Sequence, residues 1–177
     1  MSTDDGVRVW LRRHGAEQIA HPGGTLYAHL CRVSERLAAL GCGPDVQAAG
    51  LTHAVYGTDG FDRTLLDRAD RAVLRDLVGV DAEEIVYLYG ACDRGRSWRE
   101  LAKTGQVFDR FAGQVRTPSE AQLRSHVDLS IVNELDVIEH DAALAERHGA
   151  YFRELFASWA VLASAQVIRD AQRVLRP

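Results

Sequence analysis

Two histidines, His29 and His53, have the residue type and spacing that proton transfer or metal binding requires. An imidazole exchanges a proton near physiological pH, and its nitrogens are common metal ligands. Apolar residues around His29 recur at steps of three and four, which predicts a helix with His29 at the edge of its buried stripe. His53 ends the inward face of the next predicted helix. Because a short loop joins the two helices, they are expected to pack antiparallel, with both imidazoles at one end.

A glycine-flanked turn follows His53 and supplies two further polar side chains. Tyr56 could add a hydroxyl group to the site. Asp59 lies in the part of the turn that could fold back over the helix end, where its carboxylate would orient or ionise an imidazole. The alternative is a purely structural role for Asp59, because Asp59 and Gly60 form a favoured turn pair.

Four more residues are candidates for ligand binding. His21 lies in a predicted loop before the first of these helices. His126 and Asn133 share one face of a long predicted helix near the C-terminus, and Glu134 falls on the core-facing side of that helix. A buried glutamate needs a partner. Asp128, on the same helix, is expected to be solvated. The expected site is a polar cluster over an apolar floor, formed by His29, His53, Asp59, His126, Asn133 and Glu134.

A mostly α-helical single domain spanning residues 1–177 is predicted to position these side chains. Residues 105–116 lack helical periodicity and predict one small β-hairpin turning near Ala112 and Gly113. Thr117 and Glu120 have the spacing of a capping box with Pro118 at the first helical position. Loops are predicted at 21–24 and 93–96. Helices are predicted at about 6–14, 25–40, 45–53, 81–92, 118–140 and 150–175, and one or two short helices at 64–79.

Composition excludes several functional classes. The chain is 46% hydrophobic and 26% charged, as soluble globular proteins are, and its net charge is only −4. Its basic residues alternate with acidic ones, so neither nucleic acid nor membrane is expected as a partner. The acidic N-terminus does not resemble a secretory signal, and Cys31, Cys42 and Cys92 are too widely spaced for a disulfide framework. We expect a cytoplasmic protein with a small-molecule ligand; the long C-terminal helix would also suit a homodimer.

The motifs around both histidines resemble those of the HD superfamily. Its members carry a histidine on one helix, a His-Asp pair at the end of a later helix and an acid on a helix further on. The run A-G-L-T-H ending at His53 is similar to the approach to that pair. His21-Pro22 followed by His29 resembles the start of the (p)ppGpp hydrolase domains of the stringent response. The segment from His53 to Thr58 is similar to an uncharacterised HD-like family of short bacterial proteins with the motif H-x-V-Y-G-T. The resemblance covers about residues 12–62 and, more loosely, 117–140.

The chain departs from the HD pattern at both carboxylate positions. Ala54 stands where the superfamily has a metal-binding aspartate. The counterpart of the last acid is Asn133, although Glu134 or Asp136 can be aligned there instead. Asparagine is a poor ligand for a transition metal, and two imidazoles alone hold a divalent ion weakly. The metal-dependent phosphoester hydrolysis and di-iron oxygenation of the superfamily therefore cannot simply be carried over.

Three functions remain open. The first is an enzyme that acts on a small polar molecule by His/Asp acid-base chemistry, with one of His29 and His53 as base and the other as acid, and with no cofactor. Elimination, isomerisation and cyclisation fit this chemistry. The second is a metal-dependent hydrolase or oxygenase in which Asp59 or Glu134 joins the two histidines around Fe, Mn or Zn. The third is a non-catalytic small-molecule-binding protein or a dimeric scaffold.

Overall fold

The computed structural model describes residues 3–176 and consists mainly of α-helices, as predicted. The chain divides between Gly90 and Ala91 into two compact units. The proposal of one HD-like domain over the whole length stays a prediction. Within residues 3–176, no helix is both long enough and apolar enough to cross a membrane.

The first unit combines helices with one very short pair of strands. The two strands are antiparallel, with Ala20 opposite Thr25 and His21 opposite Gly24. Only a loop is predicted at this point, because Pro22 and the two following glycines interrupt any periodic pattern. In chain order the elements are α1 (Thr3–Arg13), β1 (Ala20–His21), β2 (Gly24–Thr25), α2 (Leu26–Ala39), α3 (Pro44–Thr52), α4 (Arg71–Val78) and α5 (Val80–Ala91).

Helices α2 and α3 are consecutive and pack closely. Thr25 caps α2, because its Oγ1 accepts a hydrogen bond from the backbone nitrogen of Ala28 at 3.2 Å. The two helices approach closely at Gly50, where an added Cβ would lie 2.5 Å from Cδ1 of Leu37 and 3.3 Å from Cα of Ser34. The short connection and the small residue together explain why the helix pair brings its histidines to one end.

The second unit contains a hairpin where the sequence predicts one. Strand β3 pairs with β4 in antiparallel register, with Phe108 opposite Val115. Asp109 closes the turn, since its Oδ1 accepts hydrogen bonds from the backbone nitrogens of Phe111 and Ala112, both at 2.9 Å. In chain order the elements are α6 (Arg94–Ser97), α7 (Leu101–Thr104), β3 (Val107–Asp109), β4 (Gln114–Arg116), α8 (Glu120–His140), α9 (Ala142–Ser158) and α10 (Ala165–Val174).

The predictions for the starts of α6 and α8 are wrong. The predicted loop at 93–96 contains the short helix α6, because Oδ1 of Asp93 caps it by accepting from the backbone nitrogen of Arg96 at 2.9 Å. The capping box of α8 is formed by Ser119 and Gln122, two residues later than the pair predicted. Both pairs have the same spacing, so the sequence pattern alone does not distinguish them.

The long C-terminal helix predicted at 150–175 is two helices, α9 and α10. Ser164 begins the second, and it donates to the carboxylate of Asp128 from its backbone nitrogen at 2.8 Å and from its hydroxyl at 2.6 Å. Asp128 is therefore buried, and the expectation that it is solvated is wrong. Burial raises the pKa of its carboxyl group, and the bonds from Ser164 only partly oppose that shift.

Candidate functional site

His29 and His53 meet in the first unit. Their Nε2 atoms lie 3.3 Å apart, and the two rings are nearly perpendicular, at 80°. The side chains are buried, with exposed fractions of 1% and 2%. His29 lies near the start of α2 and His53 is the residue at the end of α3. The expectation that the two imidazoles come together at one end of an antiparallel helix pair is confirmed.

The hydrogen bonds of His53 show which ring nitrogens of the two histidines carry hydrogen. Its Nδ1 lies 2.8 Å from the carbonyl oxygen of Gly50. A carbonyl oxygen only accepts, so Nδ1 of His53 carries hydrogen. In the neutral ring Nε2 of His53 is then the acceptor, and Nε2 of His29 must be the donor. The two rings share a single hydrogen between them.

Three aromatic side chains surround the pair. His21, from β1, stacks on His29 with ring centroids 4.0 Å apart. Phe61 meets His21 edge-on at 5.5 Å, and Tyr89, from α5, meets His53 edge-on at 5.1 Å. The first unit thus brings three imidazoles into one aromatic cluster, of which His21 is the part-exposed member.

Arg32 fixes the hairpin that carries His21. Its guanidinium donates to the carbonyl oxygens of Gly23 at 3.3 Å and Pro22 at 3.1 Å. Since Arg32 lies on α2, one helix turn beyond His29, the same helix holds both members of the stacked pair. The sequence does not identify this contact, because arginine near a turn is usually solvated.

The structure places the Tyr56 hydroxyl on Glu83, to which it donates a hydrogen bond of 2.9 Å. Burial raises the pKa of this hydroxyl, and the neighbouring Glu83 carboxylate raises it further. This placement gives no support to a catalytic role for Tyr56. Glu83 is a buried acidic residue that the sequence does not single out.

Asp59 lies at the tip of the predicted turn. Thr58 and Phe61 exchange two backbone hydrogen bonds of 2.9 Å across the turn. Gly57 and Gly60 both have positive φ, at 74° and 85°, a conformation that glycine adopts readily. Asp59 itself is part-exposed. The turn is confirmed, and the acid-base role of Asp59 stays a prediction.

The remaining candidates lie in the second unit. The Glu134 carboxylate accepts hydrogen bonds from Nη1 of Arg94 at 2.8 Å and from Nδ2 of Asn133 at 3.0 Å. Glu134 therefore has the partner that a buried glutamate needs. Arg94, from α6, is the residue that sequence reasoning misses here, because loop arginines carry no signal of a specific partner.

His126 is fully buried beside this group. Burial, and then the positive charge of Arg94, lower the pKa of its imidazole to about 4. His126 is therefore neutral at pH 7. The candidates predicted as one polar cluster thus belong to two sets, with His29, His53 and Asp59 in the first unit and His126, Asn133 and Glu134 in the second. Their action as a common site stays a prediction.

The His29–His53 pair has the spacing of two metal ligands. Two imidazole nitrogens at about 2.0–2.1 Å from one tetrahedral ion lie about 3.3–3.4 Å apart. The pair alone is nevertheless an incomplete site, because Ala54 supplies only a methyl group. Among the residues that the structure describes, no three His, Cys, Asp or Glu side chains form a group that could hold a metal ion.

Comparison with protein families places this site within one matched segment. A family described as "Domain of unknown function (DUF6817)" matches residues 10–94, which are 85 of the 177 residues. All three clustered histidines and Glu83 lie inside the matched segment. No curated protein and no solved structure matches the chain.

Proposed function

We propose that the first unit carries an HD-like enzymatic site for a small polar molecule, at which His29 and His53 transfer a proton. The observation that supports this most directly is the buried contact of 3.3 Å between their Nε2 atoms. Two buried imidazoles in such contact share a proton and pass it on easily.

The positions of the hydrogens on the two rings decide which histidine acts as the acid and which as the base. When the pair carries one positive charge, His29 is the imidazolium and His53 keeps an acceptor at Nε2, because its Nδ1 hydrogen is held by Gly50. A substrate that separates the two rings and contacts both Nε2 atoms gives a proton to Nε2 of His53 and takes the Nε2 proton of His29. His53 ends as the imidazolium, so the charge of the pair is unchanged. Elimination, isomerisation and cyclisation all need this paired exchange and no external oxidant.

A second candidate function is a metal-dependent one, as the HD resemblance implies. The Nε2 separation of 3.3 Å favours it, as does the bond from Nδ1 of His53 to Gly50. An outer hydrogen bond of this kind orients a ligating imidazole. His29 and His53 would hold Fe, Mn or Zn together with further ligands, of which Asp59 is the nearest in sequence. Such an ion would supply Lewis-acid or oxygen chemistry.

Two broader proposals accompany these functions. The cluster of His21, His29 and His53 also fits a non-catalytic protein that binds a small molecule, either as a monomer or as a homodimer. We also propose a cytoplasmic location, because Cys31, Cys42 and Cys92 are present as thiols, without a disulfide among them.

The test combines metal analysis with ligand screening of untagged protein purified without chelator. Wild type, His29→Asn and His53→Asn are analysed for Fe, Mn and Zn and then screened for thermal shifts with carboxylic acids, phosphate monoesters and nucleotides. Each compound that binds is followed by proton NMR for conversion. The acid-base proposal predicts conversion without metal, abolished in both variants. Metal in the wild type that both variants lose would support the second candidate instead.

His14→Asn is the matched control. His14 belongs to the first unit but is exposed and stacks on Trp10 rather than on either histidine of the pair. It should bind and convert ligands as the wild type does, and circular dichroism should show all variants folded. Conversion that survives in both His29→Asn and His53→Asn would overturn the proposal.

A further inference from the structure

Glu83 is the centre of a buried ionic network in the first unit, with an exposed fraction of 0%. Arg71 donates to both carboxylate oxygens, at 2.7 Å each, and Arg75 donates to Oε2 at 2.9 Å. The Tyr56 hydroxyl is the remaining donor, at 2.9 Å. Burial by itself raises the pKa of the Glu83 carboxyl, but the bonds from Arg71, Tyr56 and Arg75 outweigh it and hold the pKa below its ordinary value. Glu83 is thus ionised at neutral pH.

Tyr56 lies in the same tight turn as His53. The backbone nitrogen of Val55 bonds the carbonyl of Thr52 at 2.9 Å, and that of Gly57 bonds the carbonyl of Ala54 at 3.0 Å. These overlapping turns couple the backbone of residues 52–57, so a displacement of Tyr56 also displaces His53.

Helix α5 touches this turn at a second point. Tyr89 lies on α5 six residues beyond Glu83, which is about 9 Å along the helix axis. Its ring meets the ring of His53 edge-on, with centroids 5.1 Å apart. The Tyr56–Glu83 hydrogen bond therefore acts on the backbone that carries His53, and the Tyr89 ring acts on the imidazole itself.

We infer that α5 sets the position of His53, and that Glu83, acting through Tyr56, is a positioning residue for the His29–His53 pair. Arg71 and Arg75 anchor Glu83 to α4, so the carboxylate cannot shift without breaking several charged hydrogen bonds. The value of this arrangement to catalysis rests on the proposed function. The geometric claim concerns only where the His53 ring lies relative to His29.

The test measures the imidazole nitrogens of His53 by ¹⁵N NMR and the exchange with water of the hydrogen shared with His29. Tyr56→Phe keeps the ring and removes only the hydroxyl that bonds Glu83. We expect a changed ¹⁵N shift for Nε2 of His53 and exchange of the shared hydrogen at least tenfold faster. A network that only stabilises the fold would lower Tm and leave both signals unchanged, which would overturn the inference.

Ser164→Ala is the matched control, because it also removes a hydroxyl that donates to a buried carboxylate, that of Asp128 in the second unit. It should lower Tm without changing the His53 signals. If Tyr56→Phe does not fold, Tyr89→Leu tests the other contact by the same readout, with unchanged signals again counting against the inference.

These measurements need no substrate, so they separate this inference from the proposed function. Altered His53 signals in Tyr56→Phe, together with ligand conversion that survives in His53→Asn, would keep the positioning role and reject the catalytic one. The reverse result would reject the positioning role alone.

Discussion

Nδ1 of His53 donates a hydrogen bond of 2.8 Å to the carbonyl oxygen of Gly50, three residues earlier in the chain. Gly50 therefore has two roles at once. Its carbonyl selects the tautomer of His53, and its lack of a side chain allows α2 to approach α3. Gly50 therefore decides which nitrogen of His53 carries hydrogen, and it also allows the helix packing that brings the two histidines together.

Gly50→Ala should destabilise the first unit. The new Cβ would lie 2.5 Å from Cδ1 of Leu37 and 3.3 Å from Cα of Ser34. Overpacking of this kind costs about 1–3 kcal/mol, which outweighs the gain of up to about 1 kcal/mol from replacing glycine by alanine in a helix. Urea unfolding of Gly50→Ala and the wild type measures the loss in the free energy of unfolding. Gly149→Ala in α9, with nothing within 4 Å of its Cβ, should be neutral or stabilising. Equal effects of the two substitutions would contradict the close-packing argument.

Removal of the negative charge of Glu83 should lower the free energy of unfolding, because it leaves Arg71 and Arg75 without their buried charged partner. We expect Glu83→Gln to lower the free energy of unfolding by about 3 kcal/mol, near the lower end for a broken buried ion pair, since Glu84 still contacts both arginines. Glu84→Gln is the control; its carboxylate is part-exposed and its loss should cost less than about 1 kcal/mol. Similar losses for the two variants would show that burial of Glu83 is unimportant.

The lowered pKa of Glu83 predicts that the free energy of unfolding decreases in acid. The pKa of Glu83 is lower in the folded chain than in the unfolded chain, where it is about 4.3. Its contribution to stability is therefore complete above the unfolded value and is lost as the pH falls through the lower folded value. Urea unfolding from pH 5 downward should show a steeper loss for the wild type than for Glu83→Gln. Parallel curves would contradict this prediction.

His126 predicts a loss of stability at a milder pH. Its folded pKa is about 4, below the value near 6.5 of an unfolded histidine. As the pH falls, the unfolded chain binds the proton first, so the free energy of unfolding should decrease between about pH 6.5 and pH 4 and level off below. His126→Phe should flatten this slope, whereas His148→Gln, on α9, should retain it. Unfolding curves at pH 7, 5.5 and 4.5 are sufficient to compare the slopes.

Metal binding to the pair, if the second candidate function is right, should release no net proton when both rings are neutral. Nε2 of His29 must be free of hydrogen before both Nε2 atoms can act as ligands, and a neutral His29 achieves this by carrying its hydrogen on Nδ1 instead. Titration calorimetry with Zn²⁺ in buffers of different ionisation enthalpy counts the protons. His14→Ala should behave as the wild type, and His53→Ala should lose binding. Binding of Zn²⁺ by His53→Ala with undiminished affinity would place the metal elsewhere.

Local sequence features were sufficient to predict the elements around the pair. The apolar spacing of α2, its Thr25 cap and the short connection to α3 are contained in neighbouring residues, and together they place His29 and His53 at one end. The hairpin at 107–116 was predictable for the same reason, since its turn and strands are adjacent in the chain. The position of a helix that packs on its sequence neighbour depends little on the rest of the molecule.

Features that depend on distant partners could not be predicted. Nothing in the sequence indicates that Glu83 binds Arg71 and Tyr56, because many acidic residues have the same local pattern. The break between α9 and α10 depends on Asp128, which is 36 residues before Ser164 and whose bonds begin the second helix. Such choices are decided by which side chains meet when the helices pack, and helical periodicity contains no information about them.

The short connection between α2 and α3 also has a consequence for folding kinetics. His29 and His53 are separated by 24 residues, and the loop-closure entropy of joining points that near in the chain is small compared with that of distant pairs. Contacts of short sequence separation form fast. The two imidazoles therefore belong to a helical hairpin that can assemble early. The network around Glu83 also joins residues close in sequence, 12 apart for Arg71 and 8 apart for Arg75, so the histidine pair and the contacts of α5 that hold it can both form before contacts of longer range.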